Sequence, residues 1–150
     1  MIYPPLKELF PDAVNCQHHF GKDWTLSSYR MAFDSLSRKI NVQLELTQEQ
    51  KIDSESYVFL HFFDAQENLL FQGDLPIEST FHKNPIIIKS QALSKTRWLL
   101  DRSVFVPETV SGFVSVRMGI WKPKLKKQLK LNDSEKRVLV LGNFEISHSQ

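Results

Sequence analysis

With one cysteine in 150 residues, Cys16, the chain cannot be stapled by an internal disulfide. The lone thiol reads as a small buried hydrophobe rather than a nucleophile. The five glycines are scattered, which excludes a glycine-rich phosphate loop, and neither a G-x-S-x-G elbow nor a C-x-x-C pair occurs. No apolar run approaches the ~20 residues that a membrane-crossing helix requires, so no transmembrane segment is expected. Prolines interrupt the opening Met1-Ile2-Tyr3-Pro4-Pro5 and charge follows, so the start lacks the basic and apolar stretches of an export signal. Cytoplasm is the default compartment for a complete chain; a chain cut from a longer protein would leave the compartment open. Helical periodicity is missing too: no segment carries apolar residues at i, i+3 and i+4 for more than two turns.

What is present is period-two patterning. The stretch 57–74 reads as a hairpin, and its first arm, YVFLHFF at 57–63, carries almost nothing suited to solvent. This predicts a central strand covered on both faces, followed by a turn within 64–68 and a return over 69–72. INVQLEL at 40–46 alternates without a fault, placing Ile40, Val42, Leu44 and Leu46 on an inner face and Asn41, Gln43 and Glu45 on a wet one. FVSVRMGIW at 113–121 sends Val114, Val116, Met118 and Ile120 inward against Ser115 and Arg117. Further strands are predicted at 24–33, at 98–106 (stopped by Pro107) and at 138–146, where Gly142 marks a bulge or a close approach. Residues 75–96, with Pro76 and Pro85, predict a long loop holding a short edge strand around Ile86-Ile87-Ile88. Residues 1–20 form a lead-in segment whose Leu6, Leu9 and Phe10 suit a single helical turn, and 21–150 form one domain. About seven to nine strands separated by turn clusters, with no internal repeat, imply an antiparallel all-β sandwich, immunoglobulin-like or jelly-roll. A closed barrel is the alternative.

The order of these pieces resembles the β-sandwich domains appended to bacterial membrane glycosyltransferases of the mannosyltransferase type. The pieces that carry the resemblance are INVQLEL, YVFLHFFD, LLFQGD, the Trp98-Leu99-Leu100-Asp101 strand, the Pro107-to-Gly112 connection and VSVRMGIW. A second similarity is to the sandwiches by which some polysaccharide exporters recognise glycan ends. Both imply a non-catalytic domain that works near glycans, and neither transfers a binding residue.

No constellation dictates a reaction, so no catalytic residue, metal or cofactor is expected. His18 and His19 beside Cys16 offer three ligand atoms, but adjacent histidines in a strand point to opposite faces. His61 would need a carboxylate such as Asp64, Asp74 or Asp101 to act as a base. The carboxylates Asp64, Asp74, Glu78 and Asp101 have no spacing that fixes a sugar-cleaving pair or a calcium loop. The aromatics point to sugar recognition, which needs exposed ring faces beside fixed polar groups. Candidate ligand-binding residues are Trp24, Tyr29, Trp98 and Trp121, with Arg102 and Arg117, set against the tendency of such sandwiches to bury one or two tryptophans.

The net charge of +2 conceals one basic segment. Residues 122–137 hold seven basic side chains, including Lys122, Lys124, Lys126, Lys127 and Lys130, against Asp133 and Glu135, which leaves the remainder net negative. This patch suits an acidic partner or an anionic surface, or it protects a sheet edge from pairing. Nucleic acid is disfavoured because aromatics are not interleaved with the lysines. The expectation is therefore a glycan-binding module, the alternative being a protein-interaction module docking by a sheet edge or by 122–137. Oligomeric state is not legible in the sequence.

Overall fold

The computed structural model describes residues 5–49, 56–77, 88–92 and 96–147. After the turn α1 (Leu6–Leu9) the strands are β1 (Val14–Phe20), β2 (Trp24–Asp34), β3 (Lys39–Gln48), β4 (Tyr57–Phe63), β5 (Leu69–Gln72) and β6 (Leu75–Pro76). They continue with β7 (Ile88–Ala92), β8 (Arg97–Phe105), β9 (Gly112–Lys122), β10 (Lys127–Gln128) and β11 (Leu139–Ile146). Two of these, β6 and β10, are two-residue pieces, which leaves nine strands of ordinary length. All pairings are antiparallel.

One sheet, A, runs β1-β2-β3-β8-β7; the other, B, runs β10-β9-β4-β5, with β11 also on β9 and β6 also on β4. The fold is an antiparallel β-sandwich, and its two sheets keep separate edges rather than closing into a barrel. Phe20, at the end of β1, also bridges Leu131 in the segment after β10. The core lies between Ile40, Val42 and Leu44 of sheet A and Leu60, Phe62 and Val116 of sheet B, all fully buried. Burying each such side chain contributes about 1.5–3 kcal/mol. Among the described residues no helix is long and apolar enough to cross a membrane.

The predicted strands at 24–33, 40–46, 57–63, 69–72, 98–106, 113–121 and 138–146 form within two residues of those limits. The helical turn follows Pro5 as expected, and Ile88 belongs to an edge strand, while Ile86 and Ile87 lie outside the described residues. Gly142 is both things expected of it. The β11–β9 register shifts between Val140 and Gly142, and a Cβ on Gly142 would approach the Met31 Cε to 2.7 Å.

Three features differ from the expectation. Within the lead-in segment, residues 14–20 form β1, whose polar VNCQHHF lacks alternation because it is an edge strand with mostly exposed side chains. The second face of 40–46 is not wet: Gln43 and Glu45 are buried, with Glu45 5% exposed. α1 covers that face, the Leu6 N–H donating to Glu45 Oε1 at 3.2 Å while Arg97 donates to the same oxygen at 2.5 Å. Finally, β4 is fully covered on one face and only partly on the other, where Phe59 is the one buried side chain. Val58, Leu60 and Phe62 enter the core, whereas Tyr57, His61 and Phe63 stand half-buried on the outer face of sheet B.

Candidate functional site

The outer face of sheet B is built by β4 and β9, whose register sets Tyr57 opposite Trp121, Phe59 opposite Gly119 and His61 opposite Arg117. Gly119 has no side chain where the Phe59 ring lies, so the ring rests flat on the sheet and is 6% exposed. His61 packs on Phe59 with ring centroids 4.8 Å apart. Beyond it Phe63 carries the Arg117 guanidinium 4.3 Å above its ring. An aromatic row along β4 thus has a tryptophan at one end and a cation at the other.

Around Tyr57, Phe59, His61 and Trp121 the surface forms an open groove of about 480 Å³, completed by Asp74, Pro123 and Gln128. Asp74 follows β5 and directs Oδ1 to the Leu60 N–H at 3.3 Å, with His61 Nε2 4.0 Å from the same oxygen. Its side chain is 48% exposed, so the carboxylate remains open to a ligand. Pro123 opens a short 3₁₀ turn (Pro123–Leu125) whose left-handed cap, Lys126, leads into β10 and sets Gln128 opposite Trp121. Rings flanked by a carboxylate, an imidazole and an amide can stack on the apolar face of a sugar while exchanging hydrogen bonds with its hydroxyls.

Of the six candidate ligand-binding residues, Trp121 and Arg117 stand together on this face. The other four are on the inner side of sheet A. Trp24 is 4% exposed and donates its indole N–H to Ser56 Oγ at 3.3 Å. Trp98, half-buried against the core, donates to Gln48 Oε1 at 3.3 Å. Tyr29 packs beside Cys16, and burial raises the pKa of both groups. Arg102 is 6% exposed between Leu100 and Val104, and burial lowers its pKa, partly offset by the charge of Asp74. Its Nε and Nη1 find no hydrogen-bond partner among the described residues.

From the sequence, His61 stands out only as a candidate base and Asp74 only as a base partner, a sugar-cleaving carboxylate or a calcium ligand, while Tyr57, Phe59 and Gln128 do not stand out as binding residues. The available signal was the apolar outer row of 57–63, because a strand that is apolar on both faces need not be buried on both. Asp64 instead closes the β4–β5 turn, accepting from Gln66 N–H and Asn68 N–H at 2.9 Å, and those bonds hold its carboxyl below the usual range. Asp101 pairs with Gln43 on the far sheet.

No protein-family model, curated protein or solved structure matches this chain.

The basic segment is divided by its partners. Lys122 is buried and ion-paired with Asp23, and Lys130 meets Glu135 at 3.3 Å. Lys124, Lys126 and Lys127 are exposed around the edge strand β10, while Leu129 and Leu131 plug the core. His18 and His19 are engaged separately, by Asn132 at 3.1 Å and Thr25 at 2.9 Å, and no group of three metal-ligating side chains forms among the described residues. A second hollow, of about 510 Å³, lies at the opposite end of sheet B beside Asp64, Leu69 and Phe113, and among the described residues Phe113 is the one aromatic side chain that lines it.

Proposed function

We propose that the chain is a non-catalytic glycan-binding module and that the groove on the outer face of sheet B is its binding surface. The observation that carries this reading is the grouping of Tyr57, Phe59, His61 and Trp121 with Asp74 and Gln128 around one open groove. Stacking area and hydroxyl-binding groups are together there, as sugar recognition requires. The resemblance of the strand order to sandwiches appended to glycosyltransferases supports the same reading. The chemistry of the groove supports binding rather than sugar hydrolysis. Sugar hydrolysis ordinarily uses two carboxyl groups about 5–9.5 Å apart, and among the described residues lining the groove Asp74 is the one carboxylate.

The test is tryptophan fluorescence in a Trp24→Phe/Trp98→Phe background, which leaves Trp121 as the reporter, titrated with a broad glycan panel. A saturable change with at least one glycan, abolished by Tyr57→Ala, is expected. Silence across the panel from a folded protein overturns the proposal.

A further inference from the structure

We propose that the groove selects a sugar bearing a cationic amino group, with Asp74 as its ion-pair partner; this rests on the glycan reading and names its ligand class. Asp74 is the one carboxylate among the described residues lining the groove, and no lysine or arginine is among them. Two of the neighbouring cations are engaged elsewhere. Lys122 is buried against Asp23, and Arg117 is held by Glu67 at 2.6 Å. Arg102, beside Gly73, senses the charge of Asp74, and His61 Nε2 lies 4.0 Å from Asp74 Oδ1, so an incoming ammonium would share the carboxylate with both. Lys124, Lys126 and Lys127 adjoin Pro123 and Gln128 in sequence and are exposed at the rim, but none of them lines the groove.

An aromatic floor strengthens this preference. The faces of tryptophan, tyrosine and phenylalanine rings are negative and attract an ammonium within about 6 Å. Tyr57 and Trp121, both half-buried, supply such faces beside a carboxylate, an arrangement suited to a cationic group.

The experiment compares oligomers of N-trimethylated glucosamine, which are permanently charged, with N-acetylated oligomers of equal length and with tetramethylammonium, by calorimetry at pH 7.5. The charged oligomer is expected to bind about tenfold more tightly than the acetylated one. Asp74→Asn, which keeps an acceptor for the Leu60 N–H, brings the two within about twofold of each other. Equal or tighter binding of the acetylated oligomer overturns this inference and leaves the glycan reading standing. Binding of tetramethylammonium alone supports the ammonium chemistry and overturns the glycan reading. No binding of any of the three overturns both.

Discussion

Phe59 and Gly119 face each other across β4 and β9, and the Phe59 ring occupies the space that any side chain at position 119 would need. A Cβ on Gly119 would overlap the ring and come within 2.7 Å of the Arg137 carbonyl oxygen. Gly119→Ala therefore costs about 1–3 kcal/mol in urea unfolding and displaces the ring from the groove floor. Phe59→Ala/Gly119→Ala costs less than the sum of the single changes, because removing the ring removes part of the clash. Strict additivity would contradict this packing.

Arg117 grips Glu67, which sits at a left-handed φ of 65° in the β4–β5 turn. The guanidinium donates to the carboxylate at 2.8 Å and holds it below the usual glutamate range. A carboxyl with a lowered folded-state pKa adds stability that is present above its ordinary pKa and is lost as pH falls through the lowered one. NMR titration of the Glu67 side-chain carbon is expected to show that low midpoint in the native protein and an ordinary one in Arg117→Met. An unchanged midpoint in the variant would remove Arg117 as the cause.

Glu45 is the buried carboxylate of sheet A, held by Arg97, Ser27 and the Leu6 N–H. Arg97→Met leaves that charge without its cation, and about 3 kcal/mol of stability is expected to be lost. Glu45→Met/Arg97→Met recovers much of it, since no buried charge is then left unpaired. Chemical unfolding of the four proteins in the cycle checks the pattern, which a double variant no better than Arg97→Met would exclude.

Arg102 presents the opposite case, a buried guanidinium whose Nε and Nη1 meet no acceptor among the described residues. Arg102→Met, similar in length and apolar, is expected to leave stability unchanged or to raise it by about 1 kcal/mol. A loss above about 2 kcal/mol in urea unfolding would show that the cation contributes to the fold.

The architecture was legible wherever one face of a strand is apolar and the other polar. Ile40 to Leu46 and Val114 to Ile120 enter the core as their alternation requires. Alternation does not say what covers the polar face, so Gln43 and Glu45 read as wet although α1, Arg30 and Arg97 close over them. It was equally silent on β1, where the edge strand buries only Phe20 fully. The groove was half legible. Trp121 was singled out by residue type, and Arg117 lies on the same face outside the groove, but Tyr57 was assigned to the interior, because burial on both faces and an aromatic outer row give the same string of letters. The register that lays Phe59 over Gly119 separates these two cases, and register depends on pairing between strands far apart in the chain.

The most direct measurement is a chemical-shift map of the ¹⁵N-labelled protein with and without each glycan of the panel. The account predicts perturbations gathered at Tyr57, Phe59, His61, Asp74 and the Trp121 indole N–H, with Val42 and Leu44 unmoved. Perturbations centred on sheet A, or none with any glycan, would contradict it.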